Sequence, residues 1–391
     1  MTDTQEPVTT DPNTQELVFH LRLACTPGVG PRLRLRLLSA FGSLQGVFAA
    51  NAADLARIER IGPRLAESIL SIDSLRAAEK IVRTCHTSGV AILREGLASY
   101  PPMLSRIDDP PSVLFCRGEL RPCDQMAVAI VGSRRATAYG IRAAEALAGG
   151  LARAGLTVVS GLARGIDAAA HRGAMAAGGR TLAVLGSGVL AVYPPEHEDL
   201  AEAIVAHGAL VSENPPLASP TAGCFPQRNR IVSGLCLGTV VVQAAERSGA
   251  LITARLAGEQ GREVFAVPGP IDCRASIGCH RLIQDGAKLV GDVDDILAEL
   301  GPLFETAVTS CSPPRAQSVV AHGDAERSDG RPANLGEPER TVFAHVGEGA
   351  NPIDRIVETT GLEAASVLSA IAMLELRRLV RRVPGNAVER R

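Results

Sequence analysis

The sequence predicts an α/β protein with an extended Rossmann-like parallel sheet covered by helices on both faces. Between residues 95 and 305, short apolar runs alternate with segments of helical periodicity. Continuous apolar strands separated by helices are typical of a parallel sheet that is buried on both faces. The 391 residues include 39 glycines, three tyrosines and no tryptophan, which favours tight turns and aliphatic packing. The predicted strands are Val128–Val131, Leu156–Val159, Leu182–Leu185, Ala209–Val211, Thr239–Val242 and Val264–Val267.

Ahead of this sheet, residues 15–92 are predicted to form a small helical domain that follows a disordered tail, residues 1–14. Apolar residues recur at helical spacing in Leu17–Leu23, Leu33–Phe41 and Leu65–Ile72. The turns Gly28–Pro31 and Ile61–Pro63 separate these segments, and each precedes an arginine and a helical pattern. This arrangement is typical of a SAM-like or helix-hairpin-helix domain, whose exposed amides can meet a phosphate. A helical bundle that serves as an interaction or spacing module fits the pattern equally well.

The chain after the sheet is predicted to form a flexible linker and a winged helix. Residues 306–338 are rich in Ser, Pro, Gly and charge and lack an apolar period, which is typical of a linker. Residues 339–391 then combine three helical segments with a short hairpin. The helical segments are Arg340–Val346, Ile353–Thr359 and Glu363–Leu376, and the hairpin strands are Val380–Val383 and Ala387–Val388.

Composition limits the classes of function. The formal net charge is −2, so any interaction with nucleic acid must depend on local clusters of cations. Nine cysteines without a C-x-x-C pair predict buried thiols in a reducing compartment and no metal site. The first seventeen residues carry acids without a basic or apolar run, and no stretch reaches eighteen apolar residues. We therefore expect a cytoplasmic protein without a membrane segment.

Three loops that follow predicted strands have the residues of a phosphate-binding edge. In a doubly wound sheet the ligand lies beyond the carboxyl ends of the strands. Glycine lets the backbone approach a ligand closely, while hydroxyls and arginines contact anions. The predicted binding residues are Gly132, Ser133 and Arg134 after the first strand, Ser160, Gly161, Arg164 and Gly165 after the second, and Ser248, Gly249 and Thr253 after the fifth. Asp167 is predicted to be a helix N-cap, and His171 to be a packing histidine.

The segment Phe225–Arg230 is the most informative. Pro226 and the apolar run from Ile231 predict a helix N-terminus here. Arg228, Asn229 and Arg230, next to a phenylalanine expected to be exposed, suit a sugar–phosphate backbone with a base stacked on the ring of Phe225. The alternative is a pair of arginines that bridges local carboxylates.

The sequence lacks the motifs of the common catalytic sites. It contains no G-x-S-x-G, no Walker-type G-x-x-x-x-G-K and no metal-ligand cluster. The loop after the first strand is not G-x-G-x-x-G, so a dinucleotide is not expected. We therefore expect no cofactor and no catalytic residue. Several phosphate-type loops without a general base favour a polymer that is held by its backbone.

In order and spacing, these motifs resemble the DNA-processing protein A (DprA/Smf) family. The resemblance is dense over residues 95–295 and weaker in the flanking domains. The matching segments are Tyr100–Leu104, Ile130–Arg134, Ser160–Asp167 with His171, Gly186–Gly188, Tyr193–Pro194, Ser212–Glu213, Phe225–Arg230, Ser233–Leu235, Ser248–Thr253 and Val267–Gly269.

The resemblance implies a homodimeric protein that binds single-stranded DNA without enzymatic turnover. Such a protein protects incoming strands and loads a RecA-type recombinase during natural transformation. Arg134, Phe225, Arg228 and Arg230 carry over as DNA contacts, with the loops Ser160–Gly165 and Ser248–Thr253 as backbone cradles. Family members often have a basic residue shortly before this phenylalanine, and Thr221–Cys224 here has none.

Four arginines near the predicted wing, Arg377, Arg378, Arg381 and Arg382, are candidates for contacts with double-stranded DNA. A solvated helix end that complements its own dipole explains them nearly as well.

Two other functions remain open. The first is a Rossmann enzyme of the nucleoside-monophosphate phosphoribohydrolase type, which uses a P-G-G-x-G-T motif and a glutamate. Val267–Pro270 lacks the continuation of that motif. The second is a structural adaptor, which explains the glycine turns but not the arginines at a helix start.

Overall fold

The computed structural model describes residues 12–221, 223–309, 337–347 and, with short gaps, 349–390. The chain divides into two units, Met1–Gly301 and Pro302–Arg391. The predicted tail up to residue 11 and most of the predicted linker, residues 310–336, lie outside the described residues. The finer limits 15–92 and 95–305 stay predictions.

The N-terminal part of the first unit is helical, as predicted. Helices α2 and α5 each begin at a proline directly after an extended glycine, Gly30 or Gly62, which are the two predicted turns. Helix α1 begins at Pro12, within the segment predicted to be a tail. Over residues 12–87 the helices are α1 (Pro12–Cys25), α2 (Pro31–Phe41), α3 (Leu44–Ala49), α4 (Ala52–Leu55), α5 (Pro63–Leu70) and α6 (Ile72–Thr87).

A nine-stranded, mostly parallel sheet follows within the described residues, which confirms the predicted fold class. The strand order is β1-β2-β6-β5-β4-β3-β7-β8-β9. Only β1 and β2 run antiparallel to their neighbours. All six predicted strands are present, and the three that were not predicted lie at the two ends of the sheet. The strands are β1 (Ala91–Arg94), β2 (Val113–Gly118), β3 (Ala127–Gly132), β4 (Thr157–Ser160), β5 (Thr181–Val184), β6 (Gly208–Ser212), β7 (Gly238–Val242), β8 (Glu263–Ala266) and β9 (Lys288–Leu289).

Helices cover both faces of the sheet. Apolar residues of α8 and α9 pack on one face together with α1 and α6 of the N-terminal part. Residues of α10, α11 and α12 pack on the opposite face. The helices are α7 (Ala138–Arg153), α8 (Ile166–Ala176), α9 (Glu198–His207), α10 (Cys224–Gly234), α11 (Gly249–Glu259), α12 (Ile277–Gln284) and α13 (Val293–Thr309).

The order of the strands places a switch point between β3 and β7. From β3 the chain continues to β4, β5 and β6 on one side, and it returns to β7 on the other. Loops after strands on either side of such a point leave in opposite directions and open a crevice at the carboxyl edge. The loops predicted to bind DNA lie along this edge.

The second unit has its own apolar core, which includes Val342, Ile356, Ile371, Leu374 and Val388. The predicted third helix, Glu363–Leu376, lies only partly within the described residues. The described elements are α14 (Glu337–His345), β10 (Asn351–Pro352), α15 (Ile353–Thr360), β11 (Val380–Val383) and β12 (Ala387–Arg390), with sheet order β10-β12-β11. None of the helices described in either unit is long and apolar enough to cross a membrane.

Candidate nucleic-acid interface

The candidate site is the carboxyl edge of the sheet, which we call the rim: residues 132–137, 160–165, 224–230 and 245–249. Helices α7, α8, α10 and α11 all begin there. The first amides of a helix have no partner within the helix, and its N-terminus carries a partial positive charge. Four such ends on one edge favour a ligand with several negative charges.

The loop after β3 presents Arg134 at the surface. The amide of Ser133 donates to the carbonyl of Gln243 at 2.8 Å, which ties the loop to the end of β7. The Ser133 hydroxyl accepts from the amide of Arg135 at 3.1 Å, and Thr137 caps α7 by accepting from the amide of Gly140. The loop is therefore fixed at both ends, and Arg134 between them is exposed.

Arg134 lies over an aromatic pair. Its guanidinium carbon is 5.2 Å from the centroid of the Phe225 ring, and the Phe225 and Tyr193 rings are 5.7 Å apart at 51°. Phe225 is half-buried rather than exposed, because its ring lies against Gly186, where a Cβ atom would be 3.0 Å from the ring. A cation and two rings at one point suit a nucleotide, whose phosphate and base need different partners. Tyr193 was predicted only as part of the segment Tyr193–Pro194 that matches the family, and not as a binding residue.

Arg228 lies beneath the loop after β4. Its side chain is 7% exposed, and a Cβ atom at Gly161 would lie 1.5 Å from its Nη1 atom. Within the described residues its Nε atom has no hydrogen-bond partner. Burial lowers the pKa of Arg228, the charge of Asp167 raises it, and the charge of Arg134 lowers it. Arg228 is therefore a desolvated cation, and among the charges near it the carboxylate of Asp167 has a larger effect than Arg134.

Asp167 holds the same loop, which corrects its predicted role as an N-cap. The N-cap of α8 is Gly165, and Asp167 is the second helical residue. Its carboxylate accepts from the amides of Gly161 at 3.1 Å and Ala163 at 3.3 Å. Burial raises the pKa of Asp167, whereas Arg228 and the two amides lower it. Asp167 therefore positions the backbone that packs on Arg228.

Arg230 does not face the rim, contrary to prediction. Its Nη2 atom is 2.6 Å from Oε2 of Glu213 and its Nε atom is 3.3 Å from Oδ2 of Asp109. The alternative given above, arginine bridging local carboxylates, therefore describes Arg230. The physical reason is helix geometry, since residues two positions apart are rotated by about 200°. Arg228 and Arg230 cannot both point to the same surface.

Two of the predicted binding residues, Ser160 and Thr253, have hydroxyls that are buried and bonded within the protein, so these side chains do not face the rim. The Ser160 hydroxyl is fully buried and donates to the carbonyl of Ile130 at 2.6 Å. Thr253 is 2% exposed and its hydroxyl donates to the carbonyl of Gly249 at 3.4 Å. Each residue stabilises the start of a loop or helix rather than facing solvent.

The remaining predicted residues lie on the rim. Arg164 is exposed and forms an ion pair with Glu196. Gly165 has φ of 75°, and a Cβ atom there would lie 2.3 Å from the carbonyl oxygen of Ser133, so only glycine lets these two loops meet. Ser248 caps α11 and Gly249 is exposed. The Asn229 amide donates to the Gly249 carbonyl at 3.4 Å, which joins α10 to α11.

Gln243 occupies the switch-point crevice and was not predicted as a site residue. It is 3% exposed and has φ of 62°. Its Oε1 atom accepts from the amide of Thr137 at 2.9 Å, and its Nε2 atom donates to the Thr137 hydroxyl at 2.8 Å. A polar residue directly after the apolar strand β7 was the available indication. The side chain fills space where a Rossmann protein usually receives a small ligand.

His171 is a packing residue, as predicted. It is fully buried, and its Nδ1 atom is 2.7 Å from the hydroxyl oxygen of Thr181. That hydroxyl donates to the carbonyl of Val158, so Nδ1 of His171 is the donor in the neutral ring. Burial lowers the pKa of His171 to about 3.

Of the four arginines proposed for duplex contact, Arg381 has a described side chain. It is exposed and pairs with Glu389 across the hairpin. Arg377, Arg378 and the side chain of Arg382 lie outside the described residues, so their contact with a duplex stays a prediction.

Comparison with known families identifies the family of this chain. Residues 91–301, more than half of the chain, match the family model described as DNA recombination-mediator protein A. The chain belongs to the DNA recombination-mediator protein A family. The flanking domains of this family member match as well: residues 22–72 match a SAM-like helix-hairpin-helix tandem, and residues 326–386 match the DprA winged helix domain. The predicted family is confirmed.

Known members of the family are similar over most of their length. Protein Smf from Synechocystis sp. is 33% identical over 395 residues, which cover 96% of this chain and 99% of the relative. Protein Smf from Escherichia coli is 41% identical over 297 residues, 75% of each chain. The X-ray structure of DNA processing protein A from Streptococcus pneumoniae has a TM-score of 0.63 and 36% identity, covering 73% of this chain and 97% of that one.

Proposed function

We propose that the rim binds single-stranded DNA, and that the protein acts as a mediator of recombination by binding rather than by chemistry. The observation that carries this proposal is that Arg134 is exposed on the rim over the ring of Phe225, which pairs with Tyr193, at the edge where four helices begin. A phosphate backbone would meet the arginine and the helix N-termini, and a base would meet the rings.

The aromatic pair beside Arg134 favours a single strand over a duplex. Phe225 and Tyr193 offer ring faces and edges at the same point as the cation. Bases of a single strand are free to stack on such rings, whereas the bases of a duplex already stack on one another. We therefore infer that a phosphate meets Arg134 while the neighbouring base meets the aromatic pair.

The crevice between β3 and β7 argues against the enzymatic alternative. Gln243 fills it, and its amide is bonded to Thr137. A phosphoribohydrolase would need this space for a nucleotide and the glycine-rich continuation that Val267–Pro270 lacks. A screen for base release from nucleoside monophosphates tests this directly, and sustained turnover would contradict the proposal.

Family membership supports a proposal for the wider role. We propose that the protein protects incoming single strands, passes them to a RecA-type recombinase during natural transformation, and works as a homodimer. We also propose that the winged helix contacts double-stranded DNA. Co-purification with the recombinase tests that partner, and the mass of the protein in solution tests the homodimer. Both tests are independent of the rim.

The rim is tested by two substitutions and a matched control. Fluorescence anisotropy with a labelled oligothymidylate should show that Arg134→Ala and Phe225→Ala each weaken binding, the second by about 1–3 kcal/mol if a base stacks on the ring. The control is Arg121→Ala, at the opposite edge of the sheet, where a half-exposed arginine pairs with Glu119. Unchanged affinity in Arg134→Ala, or equal loss in the control, would show that the strand does not bind here.

A further inference from the structure

We propose that the groove between α7 and α8 extends the single-strand path beyond the rim and binds the phosphates of the nucleotides that follow. We call it the arginine groove, and this inference rests on the proposed function. The groove encloses about 560 Å³ and is lined by arginines from both helices, one glutamate, and glycine and alanine along its floor. Its charged residues are Arg142, Arg153, Arg172 and Glu145.

Small residues form the floor of this groove. The two helices approach closely at Gly173, where a Cβ atom would lie 2.4 Å from the carbonyl oxygen of Glu145. At Gly149 a Cβ atom would lie 3.3 Å from both the Gly173 carbonyl and Nη1 of Arg153, so this guanidinium folds back over the floor. The floor is therefore backbone and methyl groups, without the deep apolar pockets that anchor peptide side chains.

The charge of the groove is unbalanced. Arg142, Arg153 and Arg172 are all exposed, and within the described residues none of them forms an ion pair. Elsewhere in the same unit, exposed or half-exposed arginines such as Arg117 and Arg164 pair with a glutamate. Three unpaired guanidinium groups against one carboxylate leave the groove with a net positive charge, and the planar fork of arginine suits phosphate.

The groove is continuous with the rim. Helices α7 and α8 both begin at rim loops, after β3 and β4, and run beside each other away from it. Arg142 is five residues from the Thr137 cap, and Arg153 ends the helix. Eleven residues of helix span about 16 Å, which is long enough to follow several consecutive phosphates of a strand. A strand that leaves Arg134 therefore meets this charge next.

The length of the oligonucleotide separates the groove from the rim. We would measure affinity against salt for oligothymidylates of about 5 and about 20 nucleotides, within the range of known single-strand sites. The triple variant Arg142→Ala/Arg153→Ala/Arg172→Ala should bind the short oligomer like the parent. For the long oligomer it should bind at least tenfold more weakly, and its salt slope should fall by about 2, since each lost phosphate contact contributes about 0.7.

A control substitution inside the groove should change the affinity for DNA in the opposite direction. Glu145→Gln removes the carboxylate, so it should strengthen binding of the long oligomer and leave the short one unchanged. Equal binding of the long oligomer by the parent and the triple variant would overturn the groove, even if Arg134→Ala weakens the short oligomer. Binding of polyglutamate that is lost in the triple variant while DNA binding is kept would also overturn it, and would assign the groove to an acidic protein. If the parent binds neither oligomer, the rim fails together with the groove.

Discussion

At the scale of single residues, the site depends on a glycine in the loop after β4 and an arginine that packs beneath it. Gly161 has no side chain, so the Arg228 guanidinium lies against its backbone in space that a Cβ atom would occupy. Asp167 accepts a hydrogen bond from the amide of Gly161. The loop, the acid and the arginine therefore form one interlocked group, and a change in one should be felt by the others.

We predict that Gly161→Ala lowers the free energy of unfolding by about 1–3 kcal/mol, because the new methyl group must displace a buried guanidinium. In an Arg228→Ala background the same substitution should cost much less, since the overlapping atoms are gone. Urea denaturation of the parent, both single variants and the double variant measures the coupling. Equal costs in the two backgrounds would mean that the glycine is needed for another reason.

At the scale of elements, the contact between α7 and α8 depends on glycine in a different way. Gly173 faces the backbone of α7, where a Cβ atom would lie 2.4 Å from the Glu145 carbonyl oxygen and 2.7 Å from its Cα atom. Backbone atoms cannot rotate away as side chains do, so the helices must separate.

We predict that Gly173→Ala lowers the midpoint of thermal unfolding, with a cost of about 1–3 kcal/mol. Gly258→Ala in α11 is the matched control, because nothing lies within 4 Å of a Cβ atom there. That substitution should raise stability by about 0.5–1 kcal/mol through the higher helix propensity of alanine. If both variants lose stability equally, close packing of α7 on α8 does not explain the first.

At the scale of the whole molecule, two histidines, the fully buried His171 and the half-buried His20, set a limit on stability in acid. Burial lowers the pKa of His171 to about 3, and burial with the charges of Arg94 and Arg34 lowers that of His20 to about 4. Both values lie below the 6.5 of an unfolded histidine. The stability from each neutral ring is therefore complete above pH 6.5 and is lost as the pH falls from 6.5 towards the folded pKa.

We predict that the free energy of unfolding falls between pH 6.5 and pH 4, with each histidine contributing up to about 1.4 kcal/mol per pH unit. His171→Asn keeps a donor near the Nδ1 position and does not titrate, so its slope should be shallower by about one proton. His86→Asn, at an exposed position on α6, is the matched control. An unchanged slope in His171→Asn would show that acid acts on other groups.

The sequence by itself determined the fold class, the six central strands, the family and most of the rim. Apolar runs indicate strands that are buried on both faces, and glycines indicate places where the backbone turns or where other atoms approach it closely. Both patterns are visible in the sequence alone. Gly161 and Gly165 were predicted in this way, whereas Arg134 and Phe225 were predicted from the residue types in their loops and from the family resemblance. The edge strands β1 and β9, of four and two residues, were not predicted because short strands at the end of a sheet carry a weaker apolar pattern. Strand β2 was missed although its first four residues, Val113–Cys116, form a buried apolar run.

Only the tertiary structure decided which of the similar side chains face the rim. Arg228 and Arg230 are both arginines and lie two positions apart in α10. Even so, Arg228 lies under Gly161 and Arg230 lies between Glu213 and Asp109. Ser160 ends β4 and Gln243 follows β7, and the hydroxyl of Ser160 donates inwards while the side chain of Gln243 closes the crevice. The physical reason is that the partners of a side chain come from distant parts of the chain, which local sequence patterns do not encode.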